Sequence, residues 1–130
     1  MPQTVFPCLT FRDARASIDW LERVLGAECL AVHEDGDGHI AHTEIRIGES
    51  VVMAGDERAG SRATPAGASV VYVVVSDADA AYERARAAGA DATEPVDLDY
   101  GSRDLTVTDP DGNRWSLGTY AGAGTSTAAG

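Results

Sequence analysis

Asp13-Ala-Arg-Ala-Ser-Ile-Asp-Trp-Leu-Glu-Arg-Val-Leu-Gly-Ala27 and Asp77-Ala-Asp-Ala-Ala-Tyr-Glu-Arg-Ala-Arg-Ala-Ala-Gly-Ala90 read as two copies of one helix, set about half the chain apart. Each copy opens on an aspartate suited to accept hydrogen bonds from the first free N–H groups of a helix. Each closes on a glycine that can take the left-handed conformation of a C-cap. Between them lie good helix formers, with Ile18, Leu21, Val24 and Leu25 at helical spacing in the first copy. A repeat of this period points to a duplicated module.

Working outward, each helix follows a strand-like run. Val5-Phe-Pro-Cys-Leu-Thr-Phe11 precedes the first, and Ser69-Val-Val-Tyr-Val-Val-Val75 the second, which is rich in β-branched residues. Shorter strands are predicted after each helix: about 28–34, 39–47 and 50–54 in the first half, and about 92–97, 103–108 and 113–119 in the second. Asp35-Gly36-Asp37-Gly38, Gly48-Glu49 and Asp109-Pro-Asp-Gly112 supply the turns. Each half therefore reads βαβββ, and the fold class is α+β, with two tandem βαβββ modules forming a curved mixed sheet around a cavity. The expected organisation is one domain over 1–120, with modules at about 4–54 and 68–120 and a linker at 55–67. The tail 121–130, made only of Gly, Ala, Ser and Thr, is expected to be disordered. A helix covers one face of such a sheet, so the other must meet its twin or enclose a cavity.

The 130 residues carry a formal net charge of −11. So acidic a surface repels phosphate backbones and anionic bilayers, which excludes nucleic acid and membrane surfaces as expected partners. No apolar run approaches the roughly 20 residues of a membrane span, and the amino terminus lacks the pattern of a secretory signal. The expected compartment is the cytoplasm. All ten basic residues are arginine, so Schiff-base chemistry on lysine is excluded. Cys8 and Cys29 are expected to be two buried thiols. The chain holds no GxSxG elbow, CxxC pair, dinucleotide fingerprint or phosphate loop. Nothing in the sequence fixes a geometry for a Cys8–His42 thiolate pair.

Three stretches resemble the vicinal-oxygen-chelate superfamily of glyoxalases, bleomycin-resistance proteins and dioxygenases. They are Phe11 to Gly26, His42-Thr-Glu-Ile-Arg-Ile-Gly48, and Tyr100-Gly-Ser-Arg-Asp-Leu-Thr-Val-Thr-Asp-Pro-Asp-Gly-Asn-Arg-Trp-Ser-Leu-Gly-Thr-Tyr120, the most specific of the three. The last looks like the bleomycin-resistance branch. In metal-bearing members of the superfamily, His and Glu side chains from four strands hold a divalent ion. The resemblance puts those positions on Phe6, Val70 and Ser116, with a fourth near Glu44. Phe and Val cannot ligate and Ser ligates poorly, so no metal and no cofactor are expected. The resemblance also implies a homodimer.

Strand alternation places His42, Glu44 and Arg46 opposite Thr43, Ile45 and Ile47, with the apolar set expected on the helices. The predicted ligand-facing set is Phe6, Cys8, Thr10, His42, Glu44, Arg46, Val70, Tyr72, Arg114 and Ser116. Aromatic walls with a few polar groups suit a planar organic molecule, although Phe6 and Tyr72 would serve equally as core. Trp20 and Trp115 are expected in the helix–sheet core, His33 and His39 in solvent, and Arg103 in a surface ion pair. Two functions remain open: metal-independent binding of an aromatic or hydrophobic ligand such as an antibiotic, or a lyase, isomerase or dioxygenase-like activity using Glu44 or His42 as base, with or without a weakly held divalent metal.

Overall fold

The computed structural model describes residues 3–59 and 63–122. The expected tail at 121–130 lies outside these from residue 123 onward, as do residues 60–62 of the linker. The chain runs β1 (Cys8–Phe11), α1 (Ala14–Leu25), β2 (Glu28–Glu34), β3 (Ile40–Ile47), β4 (Ser50–Asp56), β5 (Val70–Val74), α2 (Ala78–Ala87), β6 (Asp91–Ala92), β7 (Val96–Asp97), β8 (Arg103–Thr108) and β9 (Arg114–Gly118). This is the α+β architecture of two βαβββ modules.

Both helices start and stop where their sequences direct. The Asp13 carboxylate accepts from the Ala16 N–H at 3.2 Å, and Asp77 does the same for Ala80 at 3.0 Å. α1 ends on Gly26 at φ 68°, whose left-handed backbone lets the Ala27 N–H turn back to the Leu21 carbonyl. Gly89, at φ 79°, performs the same reversal after α2.

The sequence predicts one strand at about 92–97, whereas β6 and β7 are separate two-residue pieces on β8. Pro95 lies between them and has no N–H to give a ladder. The first strand is also shorter than its sequence suggests, since β1 begins only after Pro7. β4 extends to Asp56, two residues into the stretch expected to be linker.

The strands form two sheets. Sheet A is ordered β1-β4-β3-β2 and sheet B β5-β9-β8-β6. In both, the strand before the helix runs parallel to the last strand of its module: β1 with β4, and β5 with β9. α1 packs on sheet A, α2 on sheet B, and the helices pack on each other. One core fills the space between the sheets, with Phe11, Leu21, Ile45, Leu105, Val107 and Trp115 fully buried. Cutting any of these large side chains to alanine costs on the order of 2–5 kcal/mol. Trp20 and Trp115 both sit in this core, as their patterns predict.

The strands make two sheets and no closed barrel among the described residues, and the face of each sheet away from its helix carries the more exposed side chains.

Candidate ligand-binding faces

Alternation on β3 works as read from sequence. Thr43, Ile45 and Ile47 are buried against the helix side, while His42, Glu44 and Arg46 stand on the open face of sheet A. Pairing extends this face sideways, because Cys8 lies beside Met53, Met53 beside Glu44, and Glu44 beside Ala31. His42 Nε2 and Glu44 Oε2 are 2.9 Å apart. His33 is exposed, as expected, but it is the cross-strand partner of His42, with ring centroids 5.7 Å apart. Arg46 reaches away from this group and pairs with Glu28. Cys8 and Cys29 are free thiols but not the buried pair expected: Cys8 is exposed at the start of β1, and Cys29 is only half-buried on the edge strand β2.

Sheet B presents a second open face. Val70, Tyr72 and Val74 on β5 are 70%, 42% and 53% exposed, whereas Val71, Val73 and Val75 turn toward the core. Pairing sets Val70 beside Arg114, Tyr72 beside Ser116, and Val74 beside Gly118. On the far side of β9, Thr108, Thr106 and Asp104 complete the same three rows.

The predicted residues thus divide into two groups that one chain does not bring together. Cys8, His42, Glu44 and Arg46 belong to sheet A; Val70, Tyr72, Arg114 and Ser116 belong to sheet B. Phe6 is half-buried just before β1. Thr10 is buried and lines a cleft of about 440 Å³ with Asp56, Glu57, Arg58 and Pro65, at the edge of the linker. Arg103 is committed to ion pairs with Asp79 and Asp97, as expected of a structural arginine.

Two aspartates do more than the sequence signals: Asp56, in the stretch expected to be linker, and Asp109, in a stretch read as a turn. Asp56 accepts from the Ala14 N–H and the Ile40 N–H, both at 2.7 Å, and so ties the start of α1 to the start of β3. Asp109 is buried and accepts from the backbone of Asp111 and Asn113, the Asn113 amide and the Trp115 indole. The Asp-Pro-Asp-Gly motif is therefore a structural staple.

Register also decides the position that the sequence gives to Glu44. In sheet B, Val70 lies two residues before Tyr72, which pairs with Ser116. In sheet A, Phe6 lies two residues before Cys8, which pairs with Met53. The counterpart of Ser116 is thus Met53, and Glu44 lies one strand further over. Phe6 and Val70 offer no donor, Met53 a soft thioether and Ser116 a weak hydroxyl. That set does not fit a divalent ion of the magnesium, nickel or zinc kind.

The sequence pattern of the glyoxalase/bleomycin resistance protein/dioxygenase superfamily matches residues 4–117. The chain belongs to that superfamily. Among its relatives is the uncharacterised protein Mb0911c of Mycobacterium bovis, 32% identical over 121 residues, which span 86% of this chain and 80% of that protein. Among solved structures of similar fold is TioX from Micromonospora sp. ML1, with a TM-score of 0.75 and 30% identity over 90% of this chain and 98% of that one. Another is a bleomycin-binding protein complexed with bleomycin, with a TM-score of 0.68 and 16% identity over 92% of this chain and 99% of that one. The latter likeness speaks for the superfamily fold alone.

Proposed function

We propose that the protein binds an aromatic or hydrophobic small molecule, an antibiotic among the candidates, without a metal ion. The observation that carries this reading is the pair of uncovered sheet faces, one with an exposed Val70-Tyr72-Val74 stripe beside polar Ser116, Thr106 and Arg114. Such a surface buries a planar ligand by apolar contact and orients it through a few hydrogen bonds. The likeness in fold to a protein that binds bleomycin supports it.

Because the two groups of residues lie on different sheets of one chain, the reading takes a complete site to need a second copy. In this reading sheet A of one protomer faces sheet B of its partner, with the ligand between them. Phe6, Cys8, His42 and Glu44 would then meet Val70, Tyr72, Arg114 and Ser116. The free thiols suit a reducing compartment, in keeping with a cytoplasmic protein. Among the described residues no helix is long and apolar enough to cross a membrane. Calorimetry against a panel of planar aromatic antibiotics, bleomycin included, tests the reading. Saturable heat that Tyr72→Ala removes is expected, and no heat from any member of the panel would sink it.

One observation favours a second reading, that of an enzyme. The His42–Glu44 pair stands on the open face at 2.9 Å, where a base could take a proton from a bound substrate. In that case Glu44→Gln abolishes turnover of candidate ketones while the fold persists, and unchanged turnover removes Glu44 from the mechanism.

A further inference from the structure

The open face of sheet B carries a cluster beyond the residues considered so far. Gly118 is buried on β9 between Val74 on β5 and Asp104 on β8. Its backbone is not left-handed, so conformation does not demand glycine. Space does, because a Cβ there would run into both the Asp104 carboxylate and the Tyr72 hydroxyl. The missing side chain makes a floor over which these two groups converge.

Two more tyrosines stand beside that floor. Tyr100, 59% exposed in the turn before β8, meets Tyr120 edge to face at 5.4 Å between centroids. The Tyr120 peptide is pinned at both ends. Its N–H donates to Ser102 Oγ at 3.2 Å, and its carbonyl accepts from the Tyr72 hydroxyl at 2.8 Å. Ser102 also donates to Asp104. Hydrogen bonds thus hold the Tyr72 hydroxyl, the Tyr120 backbone and the Asp104 carboxylate in place before any ligand arrives, which lowers the entropy lost on binding.

Among the described residues no guanidinium or imidazole lies within ion-pair reach of Asp104. The neighbouring Arg103 points to the other side of the sheet, toward Asp79 and Asp97. Aromatic faces carry negative charge density and attract cations, most strongly when a carboxylate stands by. The net charge of −11 favours the approach of a cation as well.

We infer that Tyr72, Tyr100 and Tyr120, with Asp104 over the Gly118 floor, receive the alkylammonium group of a cationic ligand. The inference rests on the reading of this face as a small-molecule site and adds the charge of the molecule it takes.

The test uses choline and its neutral carbon isostere 3,3-dimethylbutan-1-ol, with tyrosine ring resonances followed by NMR on the intact protein. Choline should shift the Tyr72, Tyr100 and Tyr120 signals saturably, and the alcohol should bind at least about tenfold more weakly. Asp104→Asn should remove that preference. Tyr100→Leu, in an exposed turn, should weaken choline more than the alcohol. Equal affinity for the two probes, or a preference that survives both variants, overturns the inference. 2-Naphthol, planar and uncharged, separates the two proposals. If it binds this face while choline shows no preference, the cation site falls and the aromatic-ligand reading stands. If choline is preferred and 2-naphthol does not bind, the cation site stands and the aromatic reading falls.

Discussion

Arg84 on α2 lays its guanidinium against Gly26, with Cζ 3.4 Å from where a Cβ would stand, and donates to the Arg23 carbonyl at 3.1 Å. A second bond reaches the Glu22 carbonyl at 3.4 Å, and Arg23 returns the contact by donating to the Ala88 carbonyl at 3.3 Å. Each helix thus has its C-terminal carbonyls, the negative end of its dipole, covered by an arginine of the other. The duplicated helices are clasped end to end, which fixes how the modules meet.

From this clasp, Gly26→Ala should lose about 1–2 kcal/mol through its φ of 68° alone. Arg84→Ala should lose about 1 kcal/mol or less, because the lost hydrogen bonds are partly solvated. The two losses should add in the double variant, since a Cβ at Gly26 would stand at ordinary van der Waals distance from the Arg84 guanidinium and its cost lies in the backbone. Urea unfolding of the four proteins measures this, and a coupling well beyond about 0.5 kcal/mol would contradict it.

Asp109→Ala should be far more costly. It strands the buried Trp115 indole N–H and the Asn113 amide, each now satisfied by Asp109 Oδ2 at 3.1 and 3.0 Å. A loss of about 3 kcal/mol or more is expected. A thermal unfolding midpoint that hardly moves would mean that water replaces the carboxylate.

Phe6, Met53, Val70 and Ser116 lead to the expectation that the purified protein retains no stoichiometric divalent metal after dialysis against a weak chelator. Added Ni²⁺, Zn²⁺ or Mg²⁺ at micromolar levels should leave the melting temperature in place. About one ion per chain by elemental analysis would show that other residues ligate.

Two uncovered sheet faces lead to the expectation of a dimer of the 13.5 kDa chain in light scattering at micromolar concentration. A Val74→Asp change in the exposed stripe should shift it toward monomer. Wild-type protein running as a monomer would count against a site shared between protomers.

Tyr100 should titrate above the ordinary tyrosine range. Desolvation beside its neighbours contributes most, followed by the Asp104 charge, which opposes formation of a second anion. A group raised on folding contributes stability that is present below its unfolded pKa and lost as pH rises through the folded value. Alkaline pH should therefore loosen this corner, and Asp104→Asn should bring the Tyr100 transition downward in an ultraviolet titration. An unmoved transition would separate the two groups.

The sequence by itself determined what depends on near neighbours. Asp13, Gly26, Asp77 and Gly89 bounded the helices because capping is decided within a few residues. His42, Glu44 and Arg46 could be set opposite Thr43, Ile45 and Ile47 because a strand alternates strictly. Only the tertiary structure decided what depends on pairing across long stretches of chain. β1 lies parallel to β4 more than forty residues later, and that register gives Met53, not Glu44, the place equivalent to Ser116. The packing of α1 on one sheet, α2 on the other and the helices on each other, which leaves Cys8 and Tyr72 on different sheets, follows from how the modules meet rather than from any pattern within one. The close approach of Tyr72 and Asp104 over Gly118 was equally hidden, because the three residues sit on three different strands and a glycine in a strand looks the same whether it serves a turn or a space.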